Sequence, residues 1–105
     1  VFLTEQHEID WDHLREVVHL TTHFLENVID ANHYPLQEIT DLAQRIRRIG
    51  LGVMGLADLF VRLGIPYDST EAVDLGRQLQ QFIDDEAKNE SERLAYIDDL
   101  IARKL

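Results

Sequence analysis

Hydrophobic positions along the chain recur at steps of three, four and seven, the period of helices packed on one face. From about Asp10, a plausible N-cap, to about Asn32, stepping residues at 100° gathers Trp11, Leu14, Val18, Thr21, Phe24, Leu25, Val28 and Ile29 into one arc. Asp12, Glu16, His19, His23, Glu26 and Asp30 centre on the opposite side. This predicts a first amphipathic helix ending before the Tyr34-Pro35 break. A second helix is expected over about Leu36 to Arg48, with Leu36, Ile39, Leu42, Ala43, Ile46 and Ile49 on its inner stripe.

The texture then changes. Ile49 to Ala57 carries no polar side chain, which predicts a buried central helix or buried turn that continues as helix to Leu63 and ends at Gly64. Pro66-Tyr67-Asp68-Ser69 reads as a connector; Asp68 with Glu71 fits a capping box, and Ser69 is an equally good N-cap. Beyond it, Val73, Gly76, Leu79, Phe82, Ile83, Ala87, Leu94, Ile97 and Ile101 continue the helical period to the end. A final helix of about 35 residues would be roughly 50 Å long, more than a compact domain of this size covers. Either it breaks near Asn89–Ser91 or it packs on something else. No stretch alternates long enough to make a convincing strand. The expected fold is all-α, about four helices in an antiparallel-type bundle with a long C-terminal helix, as a single domain over 1–105.

Composition narrows the function classes. With 105 residues and 45% hydrophobic content the chain is a globular domain rather than a disordered segment. Cys is absent, which removes disulfides, thiolate metal sites and every cysteine-based mechanism from this chain. Asp and Glu outnumber Lys and Arg by 20 to 10, so a general phosphate-backbone binder of nucleic acid is not expected. No apolar run approaches the ~20 residues that span a bilayer. A soluble, cytoplasmic setting is the expectation, and a first residue that is Val1 rather than Met suggests a piece of something longer.

Four constellations bear on chemistry. Gly50-x-Gly52-x-x-Gly55 matches the dinucleotide fingerprint literally, but its helical, basic lead-in and the lack of a βαβ unit favour glycines that let another helix backbone approach closely. Glu16, His19, His23 and Glu26 have the carboxylate–histidine spacing of di-iron bundles, yet lie opposite the apolar arc and read as a solvated face. Arg45, Arg47 and Arg48 complement a helix C-terminus and are expected to pair locally with Asp41 or Asp58. Asp58, inside the apolar third helix, reads as a structural carboxylate paired with Arg62 or that arginine cluster. Ser69, Ser91 and the threonines have no nucleophile context.

The wording of particular stretches carries more. Ile9-Asp10-Trp11-Asp12, Phe24-Leu25-Glu26-Asn27-Val28-Ile29-Asp30-Ala31-Asn32-His33-Tyr34-Pro35 and Arg47-Arg48-Ile49-Gly50-Leu51-Gly52-Val53-Met54-Gly55-Leu56-Ala57-Asp58-Leu59-Phe60 closely resemble ribonucleotide reductase large subunits. Leu63 to Ser69 and the run Ala87, Glu90-Ser91-Glu92-Arg93-Leu94-Ala95 continue the likeness, which covers roughly residues 1 to 95. Met54 and Asn27-Val28-Ile29-Asp30 look most like the adenosylcobalamin-dependent class. The resemblance implies an oxidoreductase that makes deoxyribonucleotides for DNA replication by radical chemistry on an α/β barrel, with this segment as a helical insert on the barrel's outer side. The family's radical cysteine would lie upstream of Val1 and its substrate-phosphate loop downstream of Leu105. No catalytic residue, cofactor ligand or metal ligand therefore carries over; Gly50, Gly52, Gly55 and Asp58 carry over as scaffold. Tyr96 to Leu105 departs from the family by continuing the amphipathic pattern. These readings lead to three expectations: a structural fragment that self-associates, most simply as a two-fold dimer through the last helix; one part of a split reductase that assembles with other pieces; or a metal-binding helical bundle.

Overall fold

The computed structural model describes residues 2–104; Val1 and Leu105, the two ends of the domain and tail read above, lie outside the described residues. Four helices follow one another: α1 (Trp11–Ala31), α2 (Gln37–Ile46), α3 (Leu56–Leu63) and α4 (Thr70–Lys104). Among the described residues there is no named strand, and a single antiparallel bridge joins Leu3 and Ile9. The chain is all-α, as the periodicity predicts.

Local chemistry sets most helix ends. Asp10 caps α1, its carboxylate accepting from the His13 amide at 3.1 Å. Of the two candidate caps before α4, Ser69 takes the role: its Oγ accepts from the Ala72 amide at 3.1 Å and donates to the Pro66 carbonyl at 2.6 Å. Gly64 closes α3 in the left-handed region at φ 72°, where a side chain would be strained. α4 runs unbroken past Asn89–Ser91, because its seam with α1 supports it through that stretch.

α1 and α4 form the backbone of the molecule. Trp11 meets Phe82 edge-on at 4.8 Å, Arg15 reaches Glu86, and His19 lies between Glu86 and Glu90. Those pairs advance together along both helices, so α1 and α4 run parallel, not in the antiparallel sense expected from short connections. The α2–α3 excursion makes this possible by carrying the chain back to the start of α1 before α4 begins. Leu14, Val18 and Ile83 are the buried centre, with Phe2, Trp11, Leu51, Leu79, Phe82 and Ala87 packed round them.

The most buried side chain, Thr22, has no accessible surface and its hydroxyl has no hydrogen-bond partner. An unmade buried hydrogen bond is costly, so Thr22→Val is expected to stabilise the chain by about 1 kcal/mol in urea titration. A loss of stability instead would show that the hydroxyl has a partner in solution.

The burial pattern departs from the expectation in two places. Leu36, Ile39, Leu42 and Ile46 of the second stripe are 59, 41, 47 and 46% exposed, and Phe24 and Val28 of α1 also face outward. The stretch expected to be a buried central helix has no regular secondary structure instead: α3 starts only at Leu56, and Met54 is 99% exposed. Gly55, at φ 79°, turns the chain into α3. The molecule measures 52 × 31 × 20 Å with a radius of gyration of 17.6 Å, against about 13 Å for a compact domain of this length. Its accessible surface, 8208 Å², exceeds by about 2,100 Å² what a compact 12.2 kDa monomer presents. That excess is more than twice the roughly 800 Å² that each partner gives to a standard protein–protein interface.

Candidate functional site

Two regions concentrate unusual chemistry: a polar ladder in the α1–α4 seam and an apolar groove beside the glycine-laced stretch. In the ladder, Glu86 accepts from Arg15 Nε at 3.0 Å and pairs with His19 Nε2 at 2.7 Å. Glu90, 4% exposed, accepts from Arg93 Nε at 2.8 Å, with His19 Nδ1 3.9 Å away. Arg15 also stacks over the Phe82 ring at 5.5 Å. Burial pushes the Glu86 carboxyl up, but hydrogen bonds from Arg15 and His19 outweigh it and hold it below its ordinary value. The Glu90 carboxyl is held low chiefly by Arg93, against the opposing effect of burial. Both glutamates are thus fixed as anions at neutral pH.

His19 is the member of the proposed solvated face that the structure relocates. It is half-buried in the seam because α4 packs nearer the polar edge of α1 than the hydrophobic arc indicates. The other three do not join it. Glu16 and His23 are exposed, and Glu26 turns toward Arg47. Among the described residues no group of three or more His, Cys, Asp or Glu is placed to hold a metal ion, so the di-iron spacing does not assemble into a centre.

Arg47 is the member of the arginine cluster held in ion pairs, and its partners are not the ones expected. Its Nε donates to Glu26 at 2.9 Å and its Nη1 to Asp30 at 3.0 Å, while its backbone sits in the left-handed region at φ 51°. The Asp30 hydrogen bond does most to raise its pKa, with Glu26 adding to it and burial opposing. This fork ties the end of α2 back onto α1. Arg47→Gly keeps the backbone turn without strain but loses the fork. It is expected to speed amide exchange across α2 about fivefold, the effect of roughly 1 kcal/mol, while leaving α4 unchanged. Equal exchange in both proteins would show that α2 is held by something else.

Asp58 also differs from its reading. It is exposed and, among the described residues, makes no ion pair with Arg62 or the arginine cluster. The reason is the late start of α3: Asp58 falls in its first turn, where a carboxylate favours the helix dipole and water solvates it. Gly50, Gly52 and Gly55 likewise have nothing within 4 Å of where a Cβ would sit, so no helix backbone approaches them. The fingerprint-like run is irregular and leads into a helix, and no strand pairs with it among the described residues.

Along that run lies a groove of about 490 Å³, walled by Leu14, Val18, Leu51, Met54, Leu59 and Ile83, with Asp58, Arg62 and Gln80 at its margin. That volume takes a drug-sized molecule at most. A corrinoid cofactor is far larger, and no imidazole or thiol faces the groove, so these residues do not fit adenosylcobalamin and no step is routed through it. Nucleophiles, paired acids and bases and phosphate cradles do not converge there. The seam's glutamates and Arg93 escaped the sequence reading; only the spacing Glu86-x-x-x-Glu90 on the inner side of α4 signalled them.

Comparison with known proteins gives the context that the geometry lacks. Residues 1–102 match the family described as ribonucleotide reductase, barrel domain. The vitamin B12-dependent ribonucleoside-diphosphate reductase of Thermoplasma acidophilum is 45% identical over 94 residues, covering 90% of this chain and 12% of that protein. The enzyme of the same name from Mycobacterium tuberculosis is 51% identical over 87 residues, covering 83% of this chain and 13% of the relative. The ribonucleoside-diphosphate reductase large subunit of Caenorhabditis elegans is 39% identical over 82 residues, 78% of this chain and 10% of its own length. The chain therefore spans about an eighth of the B12-dependent relatives that it matches. A family model matching residues 1–102 and relatives 39–51% identical over most of its length agree: the chain belongs to the ribonucleotide reductase family.

Proposed function

We propose that this chain is a scaffold piece of a ribonucleotide reductase barrel domain, without catalysis of its own, whose open faces are covered by the remainder of a reductase polypeptide. The observation that carries this reading is the surplus surface: about 2,100 Å² beyond a compact monomer, with apolar side chains of α1, α2 and α3 pointing out of it. The assembled enzyme would reduce ribonucleoside diphosphates in the cytoplasm. Adenosylcobalamin is its proposed cofactor, supported by the names of the two most similar relatives described above and held by residues outside this chain. In the absence of the remainder, Tyr96, Leu100 and Ile101 on the exposed side of α4 favour self-association as a two-fold dimer.

The test is reconstitution. The matching 94-residue stretch is removed from the Thermoplasma acidophilum enzyme and the remainder is mixed with this chain, a ribonucleoside diphosphate and adenosylcobalamin. Deoxynucleotide formation is expected only in the mixture, and sedimentation of the chain alone is expected to give a dimer. Turnover by this chain alone, or a remainder that neither binds it nor gains activity, overturns the proposal.

A further inference from the structure

We propose that α2 carries a self-complementary seam, through which two copies of this chain pair antiparallel about a two-fold axis near Leu42. The inference rests on the self-association reading above: the exposed end of α4 adds apolar area to that reading, and α2 supplies its register. Three observations meet on this helix.

First, the apolar stripe of α2 is uncovered although the helix is held in place. Its inner side, with Thr40, Ala43 and Arg47 half-buried, is tied to α1 by the fork of Arg47 onto Glu26 and Asp30. Ile39, Leu42 and Ile46 stand about a quarter-turn away from that side and remain exposed. Second, one charge of each sign flanks the stripe. Glu38 and Arg45 are one heptad apart, so they share a flank of α2, one before Leu42 and one after it. A two-fold axis beside Leu42 reverses the second helix and sets Glu38 of each copy level with Arg45 of the other. Two ion pairs then close the edge of an Ile39–Leu42–Ile46 core. A parallel pairing leaves both charges unmatched. Both residues are exposed, and among the described residues neither is in an ion pair. Asp41, one turn before Arg45, accepts from Gln37 at 2.9 Å instead. Third, the ends of the stripe match. Leu36 stands exposed at its start, and beside Ile46 at its end Leu94 and Ala95 of α4 wall a cleft of about 220 Å³. Antiparallel pairing brings the start of one helix over the end of the other, and so Leu36 to that cleft.

The occupant is a second copy because the pattern complements itself. An unrelated helix would need an acid and a base in the same order and at the same spacing, whereas a second copy has them by symmetry. The area allows it: the surplus of about 2,100 Å² exceeds the roughly 800 Å² that each partner gives to a standard interface. α2 has 10 residues and is about 15 Å long, so it forms only part of such an interface. Its exposed charges therefore set the direction of pairing more than its strength.

Crosslinking of the full chain reads the axis directly. The chain has no Cys, so Leu42→Cys places a single thiol beside the proposed axis. Oxidation is expected to convert most of that variant to a disulfide-linked dimer, while Val61→Cys, at an exposed position on α3, stays largely monomeric. Charge exchange reads the register. In sedimentation across a concentration series, Glu38→Lys is expected to weaken the dimer about tenfold, with helix content by circular dichroism unchanged. The same substitution makes the net charge of −10 less negative, so general repulsion alone predicts tighter association. Adding Arg45→Glu to Glu38→Lys rebuilds both ion pairs with their signs exchanged, and is expected to recover the parent affinity within about twofold. A dimer that ignores the α2 variants but dissolves on Leu100→Glu in α4 would overturn this seam and leave self-association standing. A monomer at every concentration would overturn both. Variants that leave a dimer intact but weaken binding of the excised Thermoplasma remainder would overturn the second copy as occupant and give the face to the reductase body.

Discussion

Replacing Ile83 with alanine is expected to lower the stability of the chain by about 3 kcal/mol, within a range of roughly 2–5 for aliphatic core truncations. Ile83 is 4% exposed and sits on α4 between Leu14 and Val18 of α1, with Leu51, Leu79 and Phe82 packed round that centre. Its loss opens a cavity where α1, α4 and Leu51 meet. The surroundings have little means of collapsing into it, because α1 and α4 are held in register by the ladder from Arg15 to Arg93. A small domain has only about 5–15 kcal/mol in total, and this one buries few side chains, so the loss is a large share. Urea unfolding checks it: the midpoint falls and the slope stays the same. Val61→Ala on α3, at a residue 79% exposed, is the control and is expected to stay within about 0.5 kcal/mol of the parent. Measurements at several protein concentrations separate folding from any self-association. A change below about 1 kcal/mol at Ile83 would mean that the α1–α4 seam is not the core.

Acidification is expected to unfold the chain between its neutral plateau and about pH 3. Glu86 and Glu90 are held below their ordinary value of 4.5 in the folded state. A depressed folded pKa adds stability that is fully present above the unfolded value and disappears as pH falls through the folded one. The loss therefore begins near pH 4.5 and is complete below the folded values, when neither glutamate holds Arg15, His19 or Arg93. Charge balance works in the same direction. Ten Lys and Arg with five His face protonated carboxyls at low pH, so the excess of acids becomes an excess of cations. Replacing Glu90 with glutamine removes one depressed carboxylate, and its stability–pH curve is expected to be flatter over that interval and lower at pH 7. Circular dichroism at 222 nm against pH, for the parent and the variant, reads both. Parallel curves for the two proteins would show that Glu90 contributes nothing to the pH dependence.

The reach of the sequence differs between elements. α1 was readable to within a residue at each end, because Asp10 supplies a cap and Tyr34-Pro35 a stop. Both signals act within one helical turn and need no partner. The α4 start at Ser69 and the α3 end at Gly64 were readable for the same reason. The direction in which α1 and α4 pair was not. A helix wheel describes one helix by itself, and it cannot register that Glu86 and Glu90 on α4 supply partners for Arg15 and His19. That complementarity drew His19 into the seam and left Phe24 and Val28 outside.

The glycine-laced stretch was misread for a related reason. A run of apolar residues has the same composition whether it is a buried helix or a strand, and the glycines within it lower helix propensity without specifying what replaces the helix. Of the two candidate regions, the ladder was signalled only by the Glu86–Glu90 spacing and the groove not at all, because both are built from residues far apart in the chain. The family was legible through its signature runs. Comparison then bore that resemblance out, whereas Asp58 and the glycines, read as packed scaffold, lie open in the isolated chain.

Sequence alone determined the number and order of the helices, the caps and the absence of a thiol, because local backbone chemistry and composition decide these within a few residues. Tertiary structure decided which face of each helix is inside, the parallel sense of α1 and α4, and the fork of Arg47 onto Glu26 and Asp30. Each of these depends on groups far apart in the chain, whose pairing has an energy only once the fold brings them together.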